Sequence, residues 1–146
     1  MFICMVGCAG SGKSTKAKEL AKRYNCNVIS TDAIREEIFG SAVVQKDGDK
    51  IFRIAYNRLI EELQKNQSVI FDDTNLLPWY RKKDLKRVER WNRGFNICYK
   101  SITPIEVAKE RNRNRKRVVP EEVIDRQYEK YIEPTLSEGW DEICEF

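Results

Sequence analysis

The chain contains no histidine. That absence removes a histidine base, a histidine triad and histidine metal ligands, so any proton transfer falls to Asp, Glu, Lys, Cys or Tyr. No C-x-x-C pair occurs. The five cysteines (Cys4, Cys8, Cys26, Cys98 and Cys144) are odd in number, and several sit in apolar runs where a thiol behaves as a small hydrophobe. Reduced thiols in a cytoplasm are the expectation. No apolar run approaches a membrane span, and the opening one is interrupted by Gly7 to Lys18 too early for a signal peptide. Internal repeats and low-complexity stretches are missing too. Net charge is only +4 over 146 residues, so the placement of basic residues, clustered late in the chain, matters more than their excess. The length suits one domain, residues 1–146, with its own core.

What is present begins with Gly7-Cys8-Ala9-Gly10-Ser11-Gly12-Lys13-Ser14-Thr15, which fits G-x-x-x-x-G-K-[ST], the phosphate-binding loop. Glycines let the backbone curl and turn successive N–H groups inward as an anion nest. The following helix adds unpaired N–H groups and its positive dipole end. Lys13 reaches the terminal phosphates as a mobile charge, and the Ser14 hydroxyl is placed to ligate Mg²⁺. The setting agrees: Phe2 to Val6 reads as a buried strand, and Ala17, Leu20, Ala21 and Tyr24 recur at helical spacing. Gly7, Gly10, Ser11, Gly12, Lys13, Ser14 and Thr15 are thus candidate nucleotide ligands. ATP or another nucleoside triphosphate, with Mg²⁺, is the expected cofactor pair.

Further strands are expected at Cys26 to Ile29, Ser68 to Phe71, Phe95 to Ile102 and, at an edge, Trp140 to Phe146. Helices are expected between them. Asn25 would stop the first, Ser30-Thr31-Asp32 would open the second, and Asp49 would cap a long one striped with Phe52, Ala55, Tyr56, Leu59, Ile60 and Leu63. A flexible connection, Gly40 to Gly48, would precede that long helix. Pro78 would sit in the first turn of another helix, stopped by Gly94. Thr103-Pro104-Ile105-Glu106 would form a capping box. Pro120 would open a last helix with Ile124, Tyr128, Tyr131 and Ile132 on one side. Alternating strands and helices imply an α/β fold with a parallel sheet of four to five strands. Ligands of such sheets bind beyond the carboxyl ends of the strands, where the phosphate loop, Ser30-Thr31-Asp32 and Asp72-Asp73-Thr74-Asn75 all fall.

Asp32 and Arg35 can share a helix face. There, Asp32 could take a hydroxyl proton and Arg35 could grip an anionic group of the acceptor; the plainer alternative is a helix cap and a surface ion pair. Asp73 could order Mg²⁺ through water or orient Arg35, and is favoured over Asp72, which could be a solvated turn residue. Arg111 and Arg115 are four apart and could sit on a mobile lid over the migrating phosphoryl group. That basic run could equally be a solvated helix end or touch a nucleic-acid backbone. Trp79, Tyr80 and Trp91 could stack bases, though packing is commoner. The face Arg81, Lys82, Lys83, Lys86, Arg87 and Arg90 could follow a phosphate backbone or simply keep a helix solvated.

Taken in order, Gly7 to Thr15, Ser30-Thr31-Asp32-x-x-Arg35, Phe71-Asp72-Asp73-Thr74-Asn75 and Arg111-Asn112-x-x-Arg115 resemble the polynucleotide 5′-hydroxyl kinases of phages and RNA-repair systems. The resemblance runs over nearly the whole chain. It implies a nucleotide-kinase-like, three-layer P-loop fold with a helical, arginine-bearing lid over about residues 104–133. It implies Asp32 as general base, Arg35 on the acceptor's neighbouring phosphate and Asp73 supporting that arginine. Lys13, Ser14, Arg115 and Arg111 would act on the nucleotide phosphates and Mg²⁺, with Val119 and Thr74 lining adenine. The implied acceptor is a 5′-OH end of DNA or RNA, and a separate phosphatase or ligase would complete any repair. Two other readings stay open: a small-molecule P-loop kinase acting on a nucleoside, sugar or antibiotic, and a nucleic-acid-binding ATPase. The expected setting is cytoplasmic, in the host cytoplasm if phage-encoded, with no membrane partner.

Overall fold

The computed structural model describes residues 1–44, 46–115 and 117–146. The centre is β1 (Phe2–Val6), a run without a polar side chain because both of its faces are covered. Phe2, Cys4 and Val6 enter one core, and Ile3 and Met5 the other. β3 (Val69–Asp72) and β4 (Asn96–Lys100) pair parallel on either side of it. β2 (Asn27–Ser30) and β5 (Glu142–Glu145) form the edges, so the order among the described residues is β2-β3-β1-β4-β5.

Helix α1 (Lys13–Tyr24) covers one face, setting Ala17 and Leu20 against Ile3, Met5 and Ile70. α2 (Thr31–Phe39), α3 (Gly48–Gln64) and α4 (Pro78–Val88) cover the other with Ile34, Ile51, Leu59, Leu63, Leu85 and Val88. α5 (Ile105–Arg113) and α6 (Glu121–Lys130) pack on each other and arch over the loop between β1 and α1. This is the expected α/β P-loop fold in three layers, with every expected strand formed. Gln45, in the connection before α3, and Lys116, in the basic run after α5, lie outside the described residues.

Several local expectations change. Asn25 does end α1, in the left-handed region. α4 instead ends at Val88, before Gly94, because the Trp91 and Asn92 amides both turn back to the Val88 carbonyl and the Asn92 side chain bonds Gly94 and Phe95. α3 starts one residue before Asp49, with Asp47 at its N-cap. No capping box forms at Thr103: Pro104 is the N-cap of α5, and the Thr103 hydroxyl donates to the Ser11 carbonyl, 3.0 Å away. Ile132 lies beyond α6 and is exposed.

Candidate functional site

The β1–α1 loop is built by its glycines. Gly12 caps α1 at φ 92°. Gly10, at φ +78°, lies so close to α5 that a Cβ would stand 2.2 Å from the Ala108 carbonyl oxygen. Both positions therefore exclude other L-residues. The loop is pinned from three sides: the Gly7 amide donates to the Thr74 carbonyl (3.0 Å), the Ala9 amide to the Gln127 side chain (2.7 Å), and the Thr103 hydroxyl to Ser11. Such a backbone is shaped in advance for an anion. Ser11 turns its side chain inward and is 2% exposed. Lys13 donates to the Cys8 carbonyl at 2.9 Å. Burial pulls its ammonium below the ordinary lysine value, and Asp72 and Asp73 pull it back.

Beside Lys13, the Ser14 hydroxyl donates to Asp72 at 2.7 Å. Asp72 is buried at 5% exposure, not a solvated turn residue. The register of β1 and β3, with Met5 opposite Asp72, brings it to the phosphate loop. Asp73 accepts a hydrogen bond from the Thr31 hydroxyl at 2.7 Å. It does not hold Arg35, whose ionic partner is Asp32 at 3.8 Å. Burial raises both carboxyls, 72 and 73, above the ordinary aspartate value, with Lys13 opposing in each case. A hydroxyl and a carboxylate at hydrogen-bond distance form a hard-oxygen pair that suits Mg²⁺, which takes few protein ligands beside waters and phosphate oxygens.

One cleft of about 620 Å³ joins these groups. Lys13, Ser14 and Asp72 stand on its wall with Asp32, Arg35, Asp73, Thr74, Val119 and Arg115. Among the described residues the Asp32 carboxylate, half exposed, has two cationic neighbours: Arg35 on its own helix and Arg117, at 2.8 Å. Arg111, Arg115 and Gly7-loop residues Gly10, Gly12 and Thr15 border a second hollow of about 250 Å³ over the phosphate loop, which also takes in Lys13 and Ser14. Arg115 lies beyond the end of α5, so Arg111 and Arg115 do not share one continuous helix. The Cys8 thiol is no proton acceptor, since burial pushes it up to about 11.

Other expectations separate. Arg81 leaves the proposed basic face: it is fully buried, forked onto Glu138 at 2.8 and 2.6 Å and bonded to the Asn75 carbonyl. Arg87 lies over the Tyr56 ring. Trp91 packs against the core beneath Arg90, whereas Trp79 and Tyr80 are exposed, 5.8 Å apart, with Tyr80 on the cleft wall. Sequence reasoning singled out neither Arg117 nor the Tyr56–Asp84 pair on the same wall. Residues 81, 84, 85 and 88 share one helical face, and that spacing was the available signal.

A family model described as AAA domain matches residues 2–134. L-seryl-tRNA(Sec) kinase of Methanococcus maripaludis is 31% identical over 97% of this chain and 56% of its own length. Shikimate kinase of Haemophilus influenzae is 37% identical over 47% of this chain and 39% of its own. The chain thus spans about half the length, or less, of these curated relatives. Among solved structures, a chain of the Pnkp1/Rnl/Hen1 RNA repair complex superposes with a TM-score of 0.79 at 19% identity, over 88% of this chain and 43% of that one. Among the described residues no helix is long and apolar enough to cross a membrane. The chain belongs to the AAA domain family, and its fold is that of the P-loop kinases.

Proposed function

We propose that the protein transfers the terminal phosphoryl group of ATP, or another nucleoside triphosphate, to a hydroxyl of an acceptor bound between Asp32 and the phosphate loop. The observation that carries this reading is the shared cleft: a carboxylate on α2 and a buried arginine face the same space as Lys13 and Ser14. In the proposed reaction the acceptor oxygen forms a bond to the γ-phosphorus as the bond to the bridging oxygen breaks. The hydroxyl proton passes to Asp32, and the nucleoside diphosphate leaves. Lys13, the loop amides, Arg111 and Arg115 neutralise charge on the migrating group, and Arg35 holds an anionic group of the acceptor. Mg²⁺, held by Ser14 and Asp72, would supply further neutralisation of the phosphate oxygens. Most of the acceleration in such a reaction is positioning and electrostatics.

The first reading of the acceptor is a compact hydroxyl-bearing unit with an anionic group beside it. Arg35 lines the cleft and is 8% exposed, and the sequence relatives are kinases named for an L-seryl-tRNA and for shikimate. The second reading is the 5′-hydroxyl end of DNA or RNA. It is favoured by the exposed Trp79 and Tyr80 beside the cleft, followed by exposed Lys82, Lys83 and Lys86, and by the likeness in fold to the RNA repair chain. Incubation with γ-labelled ATP, Mg²⁺ and, separately, shikimate, seryl-tRNA and a 5′-hydroxyl oligonucleotide separates them by where the label goes. Hydrolysis stimulated by nucleic acid, with no labelled acceptor, would replace both readings with an ATPase.

A further inference from the structure

Two buried polar atoms on the cleft-lining residues lack a hydrogen-bond partner among the described residues: Asp84 Oδ2, an acceptor, and Arg35 Nε, a donor. Buried polar atoms are almost always satisfied, so a complementary orphan pair beside one cleft points to a ligand that carries both missing partners. Asp84 itself is 2% exposed. The phenol of Tyr56 donates to its other oxygen at 2.5 Å. Tyr56 is fixed in turn: its ring lies 5.9 Å from Phe71 and 6.1 Å from Phe52, with the Arg87 guanidinium 4.2 Å from its centroid. The carboxylate is therefore oriented before any ligand arrives, which is how a selective contact is built. A purely packing role would be better served by an apolar side chain, as Leu85 and Val88 show on the same helix.

We propose that Asp84, oriented by Tyr56, forms an acceptor subsite that hydrogen-bonds a hydroxyl neighbouring the one that is phosphorylated, while Arg35 takes the acceptor's carboxylate. This rests on the hydroxyl-kinase reading above and names its acceptor class: a compact polyhydroxylated acid. A hydroxyl suits the site because burial pushes the Asp84 carboxyl up to about 7, so near neutrality it can accept or donate. Exposed Val43 and Tyr80 border the same cleft.

The test uses D-glycerate, which has a hydroxyl next to its terminal one, and 3-hydroxypropionate, which lacks it. Shikimate and a 5′-hydroxyl oligonucleotide are further acceptors. Wild-type protein should prefer D-glycerate, by kcat/KM. Asp84→Asn should shrink that preference by about 10- to 100-fold, the worth of one hydrogen bond to a charged group, through the acceptor KM, with the KM for ATP moving less than two-fold. Tyr56→Phe should move the ratio in the same direction by less, which keeps the test open if Asp84→Asn fails to fold. An unchanged ratio in both variants, or an equal rise in the KM for ATP, overturns the subsite and leaves the kinase reading standing. Transfer to the oligonucleotide alone overturns the acid assignment. No transfer by the wild type to any of the four overturns the subsite, and the kinase reading falls with it only if seryl-tRNA also stays unlabelled.

Discussion

Arg117 Nη1 stands 2.8 Å from Asp32 Oδ2, so the segment between α5 and α6 reaches across the cleft to the first turn of α2. Asp32 is 55% exposed, and an ion pair this wet contributes under about 1 kcal/mol. Arg117 can therefore release it for an arriving hydroxyl at little cost. In the proposed reaction Asp32→Asn lowers kcat by about 10²- to 10⁴-fold, the usual worth of a general base, while ATP affinity by calorimetry stays within a few-fold. Arg117→Ala should not reproduce that loss. Full activity in Asp32→Asn would remove this carboxylate from the reaction.

The Ser14–Asp72 hydrogen bond carries a second expectation. With both oxygens on the cation, Asp72→Ala weakens ATP binding at least about ten-fold when Mg²⁺ is present. Binding in EDTA should change much less. An equal loss with and without the cation would assign Asp72 to shaping the loop.

Much of this was legible beforehand, and the exceptions have physical reasons. The P-loop and all five strands are local signals, carried by glycine spacing and apolar runs. The choice between Asp72 and Asp73 was not local: it turned on the pairing of β3 with β1, which sends 72 to Ser14 and 73 to Thr31. Arg81 misled for another reason. Its charge placed it with the solvated lysines, whereas its spacing from Leu85 and Val88 placed it inside, where Glu138, far along the chain, satisfies it. Thr103 likewise read as a helix cap, because the competing Ser11 carbonyl is contributed by a distant loop.

Gly10 brings the phosphate loop directly against the backbone of α5 at Ala108. Gly10→Ala forces a Cβ against backbone, which cannot swing aside as a side chain can, and at a positive φ as well. The expected result is a loss of about 2 kcal/mol or more, read as a lower melting temperature, with weakened ATP binding as α5 is displaced. A variant with unchanged affinity would show that nucleotide binding does not depend on the seating of α5 at this contact.

The Arg81–Glu138 pair is buried on both sides, at 0% and 3% side-chain exposure. Glu138→Gln leaves the guanidinium without its countercharge and should cost about 3–5 kcal/mol in urea unfolding. Because Arg81 also holds the Asn75 carbonyl, the strand end bearing Asp72 and Asp73 should loosen with it. Faster amide exchange at residues 72–75 is the local signature. A small stability change without it would mean that the pair is replaceable packing.

The last expectation concerns pH. The Asp84 carboxyl is raised from 3.8 to about 7, chiefly by burial. Tyr56 on α3 and Arg87 and Lys83 on α4 oppose the shift, and Asp73 after β3 adds to it. A carboxyl raised by folding binds its proton more tightly in the native state. Its contribution to stability is fully present below about pH 4 and is lost as pH rises towards 7, by at most about 4 kcal/mol. Asp84→Asn removes the titration, so the variant should gain on the wild type between pH 4.5 and 8.5 in urea titrations. Tyr56→Phe removes a hydrogen bond that favours the charged form, which should move the wild-type fall to higher pH. Asp72 and Asp73 are raised too and contribute with the same sign; Asp73 also couples to Asp84, so the difference between Asp84→Asn and wild type reads Asp84 together with its influence on Asp73. Parallel stability curves for Asp84→Asn and wild type would mean that this carboxyl is hydrated in solution and titrates like an ordinary one.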